Sequence, residues 1–151
     1  MDRVLDGLRI GILGKGGAGK STVTVLLADA LRESGYEVLV IDADSTNHGL
    51  AASLGVEPAP EPMLARLGGT VFSGGPVGCP VDDPTPLAGT DVSLAELAPE
   101  HAAHNAEGVH LVVVGKMTRD GPGAGCDGPV AKIARDLRVR EVRDHGVTLV
   151  D

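Results

Sequence analysis

Gly14-Lys15-Gly16-Gly17-Ala18-Gly19-Lys20-Ser21 is a run whose residue types and spacing suit it to hold phosphate. It satisfies G-x-x-x-x-G-K-[ST] in full. Its glycines allow successive backbone N–H groups to turn inward around phosphate oxygens. A helix starting within the run adds the partial positive charge of its N-terminus. Lys20 is then placed to reach the β- and γ-phosphates, and Ser21 to ligate Mg²⁺. Thr22 offers a further hydroxyl, to the α-phosphate. A second group with chemical potential is Asp42-Ala43-Asp44. Carboxylates near a bound Mg²⁺ can hold its waters or orient an attacking water. The competing reading is a helix N-cap supplied by Asp44 or Ser45.

These residues need elements to position them. Residues 8–13 form a short apolar run ending in glycine, which predicts a buried strand. Lys20 to Ser34 follows, with Val23, Leu26, Leu27, Ala30 and Leu31 at helical spacing and Gly35 as the C-terminal cap. Residues 37–41 predict the next buried strand, so that strand, helix and strand make a right-handed βαβ unit. The two carboxylates then stand at the C-terminal end of a parallel strand, the edge where ligands bind in open α/β sheets. Residues 55–107 hold eight of the ten prolines and few periodic apolar positions. They are expected to be an irregular Pro/Gly-rich insertion with one short helix at Leu94, Leu97 and Ala98, and to be functional, mobile or ordered by a partner. Regularity returns with a buried strand at 109–114, a Gly-rich loop at 115–128, a helix at 129–137 and a strand at 146–151. One α/β domain over 1–151 is the expectation, with a mainly parallel sheet, helices on both faces and the ligand at the strands' C-terminal edge.

The loop resembles, in its first lysine, the deviant Walker A loop of the MinD/ParA/nitrogenase-iron-protein class of P-loop ATPases. The resemblance implies a three-layer P-loop NTPase fold, ATP and Mg²⁺ as cofactors, and a homodimer in which Lys15 reaches the partner's nucleotide; the bland alternative is a solvated loop lysine. It also implies that Asp44 orients or activates water, that Asp42 supports Mg²⁺ and the loop, and that Asp151 is the Walker B-like aspartate bonded to a Mg²⁺-bound water. The catalytic set is thus Lys15, Lys20 and Asp44, the nucleotide-binding set residues 14–22, and the Mg²⁺ set Ser21, Asp42 and Asp151. In that class the last aspartate precedes a Gly-containing switch, then further strands and a base-binding segment. None of these is in the sequence, so it is expected to be an N-terminal fragment, with the fold incomplete at its C-terminus and the isolated chain hydrolysing ATP poorly or not at all.

Gly121 to Gly128 contains Cys126 followed by Asp127. One cysteine is too few for a metal site within one chain, but a two-fold dimer would supply two. The segment is similar to the Gly-x-Gly-Cys-x-Gly loop that holds the cluster of the nitrogenase iron protein. Its flanks, Val114 to Met117 and Val130 to Arg135, look more like the CooC group of nickel-insertion accessory ATPases of carbon monoxide dehydrogenase. That group typically shows Cys-x-Cys where this chain has Cys126-Asp127-Gly128. The resemblance implies Ni²⁺, Zn²⁺ or a [4Fe–4S] cluster at a dimer interface, and a client metalloenzyme such as carbon monoxide dehydrogenase. Asp127 is a candidate oxygen ligand beside the thiolate; the alternative is a free thiol in a glycine loop. Cys79 is read as an incidental thiol, His48 as solvated or capping, and His101 and His104 as surface residues.

Composition narrows the classes. The formal net charge is −8 with a pI near 5.0, which disfavours a basic nucleic-acid surface. No apolar run approaches the ~18 residues of a membrane span, and the N-terminus lacks a signal-peptide layout. Two cysteines do not make a secreted disulfide scaffold. The chain is expected to be cytoplasmic, with no nucleic-acid or membrane partner. With no Trp, one Tyr and one Phe, its core must be aliphatic. Nickel insertion, ATP-dependent reduction by an iron–sulfur cluster, and an ATP-timed positioning switch are the three activities the resemblance leaves open.

Overall fold

The computed structural model describes residues 3–45, 49–71, 79–115 and 127–151. Its main sheet is built from β1 (Arg9–Gly11), β2 (Glu37–Asp42), β4 (Ala103–His104), β5 (His110–Val113) and β7 (Gly146–Val150), in the spatial order β1-β7-β2-β5-β4. β1, β7, β2 and β5 are parallel, and β4 runs antiparallel to β5. A mixed α/β architecture with a mainly parallel sheet is therefore present, as expected. β2 and β5 are continuous apolar runs because both of their faces are covered.

Side chains alternate across β2 and divide the core in two. Val38 and Val40 join Leu111, Val113, Val147 and Leu149 beneath α1 (Lys20–Glu33) and α2 (Leu50–Ser53). Leu39 and Ile41 face the other way, onto Val112, Val130, Ile133 and Leu137, the last three on or just after α5 (Gly128–Asp136). Four expectations need correction. β1 was expected to be buried but is a half-exposed edge strand, bonded only to β7 among the described strands. α1 does not bury the stripe its apolar residues suggested: Thr24, Ala28 and Leu31 face the sheet, while Val23 and Leu26 are 52% and 64% exposed. Apolar spacing is ambiguous there, and small Ala28 lets the helix approach the strands.

The third correction concerns residues 55–107, which are not irregular throughout. They contribute α3 (Met63–Val71), a 3-10 turn at Pro80–Asp82, β3 (Asp91–Val92), α4 (Leu94–Leu97) and β4. Met63, Leu67, Val92, Leu97 and Ala102 complete the core on the α5 side. α4 starts with a capping box, in which Ser93 and Glu96 exchange hydrogen bonds. β3 pairs with β6 (Arg138–Val139), which leads into α6 (Arg140–Arg143). His101, expected at the surface, is only 8% exposed, and its Nδ1 meets the Glu61 carbonyl at 3.0 Å; His104 is exposed as expected. No helix among the described residues is long and apolar enough to cross a membrane.

Candidate functional site

β1 delivers the chain to the C-terminal edge of the sheet, where residues 14–19 turn back before α1. Gly17 and Gly19 have φ of +76° and +86°. An added Cβ at either would meet nothing within 4 Å, so the left-handed backbone, rather than crowding, calls for glycine. Gly19 is the N-cap of α1, and neither a side-chain cap bond nor an acidic residue occupies the helix's first turn. The positive end of α1 is thereby left to an anion. A cavity of about 340 Å³ is lined by Gly16, Gly17, Gly19, Lys20, Ser21, Thr22 and Asp44.

Strand register brings the carboxylates to this loop. Asp151 directly follows β7; its N–H donates to Ile41 O at 3.0 Å, and its carbonyl accepts from Ala43 N at 3.0 Å. Its buried carboxylate receives Ser21 Oγ at 2.7 Å and Thr24 Oγ1 at 3.1 Å. Asp42, also buried, ends β2, and its Oδ1 accepts from Asp44 N at 3.2 Å. Asp44 stands 3.7 Å from Lys20 Nζ, an ion-pair distance longer than a hydrogen bond. Ser21 and Asp151 are hard oxygen donors in contact, which fits Mg²⁺ chemistry, and Asp42 ends the neighbouring strand β2. Lys15 is exposed, as are Gly14, Ala18 and Thr22. Lys20, Ser21, Asp42, Asp44 and Asp151 are thus brought together.

A second cavity, of about 640 Å³, opens beside the first and is bordered by Arg9, Leu13, Lys20, Asp44, Asp127 and Ala134 among others. Arg9 donates to the carbonyls of Leu137 and Ala134 at the C-terminal end of α5. Burial, with Arg138 nearby, pushes its guanidinium down to about 10. Cys126 and His48 lie outside the described residues. Cys79 is a half-buried free thiol. Among the described residues no group of three or more His, Cys, Asp or Glu is arranged to hold a metal ion.

One participant and one contact escaped the sequence reading. Thr24 lies one helical turn beyond Ser21, and a polar residue on the sheet-facing side of α1 was the available signal. Ser45 donates to Asp127 Oδ1 at 2.8 Å across 82 residues of sequence, and no local pattern announces that contact.

Comparison with known proteins gives the family. The family model described as the CobQ/CobB/MinD/ParA nucleotide binding domain matches residues 12–141. A protein of Methanocaldococcus jannaschii named as an uncharacterized ATP-binding protein is 32% identical over 146 residues, covering 95% of this chain and 57% of that protein. The carbon monoxide dehydrogenase accessory protein CooC of Rhodospirillum rubrum is 30% identical over 132 residues, covering 79% and 44%. An iron-sulfur cluster carrier protein of M. jannaschii is 51% identical over 55 residues, covering 36% and 19%. The chain spans about half the length of the first two relatives.

Proposed function

The chain belongs to the CobQ/CobB/MinD/ParA nucleotide binding domain family, and on that premise we propose that the whole protein is a cytoplasmic, homodimeric ATPase for metallocentre maturation. The carrying observation is the bond from Ser21 Oγ to Asp151 Oδ2 at 2.7 Å, which sets the hydroxyl of the phosphate loop against a strand-end carboxylate. The backbone N–H groups of residues 14–19 surround the phosphates, Lys20 neutralises the β- and γ-oxygens, and Thr22 binds the α-phosphate. Ser21, Asp42 and Asp151 would hold Mg²⁺, directly or through water. When bound, the ion supplies charge neutralisation on the phosphate oxygens. Asp44 accepts a proton from, or orients, the attacking water, and Lys15 contacts the nucleotide of the partner copy.

Nickel insertion into a carbon monoxide dehydrogenase-like client is the specific task proposed, with the metal held between the two Cys126 thiolates of a dimer. It is supported by the similarity to the R. rubrum accessory protein along most of this chain. A second reading takes an iron–sulfur cluster as the cargo. The similarity to the iron-sulfur cluster carrier protein favours it, although over a shorter stretch.

Calorimetric titration with MgADP and MgATP, alongside a phosphate-release assay, tests the nucleotide part. The protein should bind both, and Lys20→Ala should abolish binding; unchanged affinity in that variant would remove the phosphate-loop assignment. For the cargo part, Cys126→Ala should eliminate bound nickel and nickel-dependent dimerisation. An unaltered metal stoichiometry would sink it.

A further inference from the structure

We propose that Asp127 is a positioning residue for nucleotide hydrolysis: through its hydrogen bond to Ser45 it fixes the segment that carries Asp44 against Lys20. The inference rests on the ATPase reading above and deepens it. β2 ends at Asp42, and the chain then leaves the sheet. Ala43 N is still held by Asp151 O at 3.0 Å, and Asp44 N by Asp42 Oδ1 at 3.2 Å. The next tie is the side chain of Ser45, which is buried and donates to Asp127 Oδ1 at 2.8 Å. Asp44 therefore lies between a backbone anchor on β7 and a side-chain anchor at the start of α5.

The other end of this contact has an unusual feature. Asp127 occupies the N-cap position of α5, where an aspartate ordinarily accepts a hydrogen bond from its own helix. It makes no side-chain cap bond, and Pro129 in the first turn removes one of the N–H groups it would have met. Its carboxylate turns instead to Ser45, and both residues border the cavity that also contains Lys20 and Asp44. Without the acceptor, the buried Ser45 hydroxyl loses a partner, and the chain just after Asp44 loses its side-chain tie to α5 while the backbone bonds of Ala43 and Asp44 remain. Asp44 needs a fixed position to orient water, and displacements of about 1 Å in such a group can cost about a hundredfold in rate.

The test compares the wild-type protein with Ser45→Ala, Asp127→Ala, Asp127→Asn and the double alanine variant. MgADP affinity is measured by calorimetry and kcat by phosphate release. Each single alanine variant should lower kcat about ten- to a hundredfold while MgADP affinity stays within about threefold. Asp127→Asn keeps an oxygen acceptor for Ser45 and should hold kcat within about threefold of wild type, which separates positioning from failure to fold. The double variant should be no slower than the worse single one, because both remove the same contact. Wild-type kcat in Asp127→Ala, equal impairment of Asp127→Asn and Asp127→Ala, or multiplying losses in the double variant would each overturn the proposal. A wild-type protein that binds no MgADP overturns the nucleotide reading itself. One that binds MgADP without turnover overturns hydrolysis, and the positioning role with it.

Discussion

Lys132 and Asp136 lie 2.8 Å apart along α5, with side chains 4% and 8% exposed. Lys20 and Asp44 lie 3.7 Å apart beside the phosphate loop, 18% and 21% exposed. The first pair is saturated. Lys132 Nζ also donates to the carbonyls of Asp83 and Thr85, which uses all three ammonium hydrogens. Asp136 accepts from Arg135 Nε at 2.8 Å and from Leu87 N at 2.9 Å. Burial alone would raise the Asp136 pKa, but the bonds from Arg135, Lys132 and Leu87 outweigh it and hold the carboxylate below its usual 3.8. In the second pair the separation exceeds hydrogen-bond length, and the lysine opens onto a cavity. The lysine that pins loops to a helix is desolvated and fully bonded, whereas Lys20, proposed to meet a phosphate, is more exposed and more loosely opposed.

Substitutions can break or sharpen this contrast. The largest effect is expected from Lys132→Met, which leaves Asp136 without its lysine and two carbonyls without a donor; urea unfolding should show a loss of about 3–5 kcal/mol. Lys20→Ala comes next and acts on another property. Nucleotide affinity should fall by at least about a hundredfold, in line with a lost charged hydrogen bond, with unfolding free energy changed by less than about 1 kcal/mol. If Lys20→Ala unfolds the protein as Lys132→Met does, the contrast is wrong.

Acid titration gives a smaller signal. Asp136 has a depressed folded-state pKa, so the unfolded chain takes up the proton first as pH falls. Its contribution to stability is complete above the ordinary value of 3.8 and is lost as pH falls through the folded value. Unfolding free energy measured between pH 5 and 2 should decline, and Asp136→Asn should flatten that decline. The smallest effect is expected for the Lys20–Asp44 pair itself: its coupling energy, from unfolding of Lys20→Ala, Asp44→Ala and the double variant, should lie within about 1 kcal/mol because the pair is long and partly solvated.

The legibility of the sequence follows the same division. The phosphate loop was readable because Gly14, Gly19, Lys20 and Ser21 satisfy a spacing that few other structures require. β2, β5 and β7 were readable as apolar runs, and Asp42, Asp44 and Asp151 followed as strand-end residues. What was hidden depends on contacts between distant segments. Nothing local marks β1 as an edge, turns α1 to bury Thr24 in place of Leu26, or sends Asp127 to Ser45. Residues 55–107 looked irregular because their elements are short and separated by prolines. Their order comes from Met63, Leu67, Val92 and Leu97 packing on α5, whose sequence lies further on.

One consequence of the strand order concerns synthesis. β7 lies between β1 and β2, yet it follows β2 by more than a hundred residues of sequence. On a ribosome adding about 5–20 residues per second, β1 and the loop after it wait roughly 6–27 s for the strand that joins them to β2. Until then Ser21 and Thr24 have no Asp151, and β1 lacks the one described strand it pairs with. The phosphate loop, among the first segments to be made, is among the last to be seated, and a nascent chain halted before β7 would carry the full loop signature without a site.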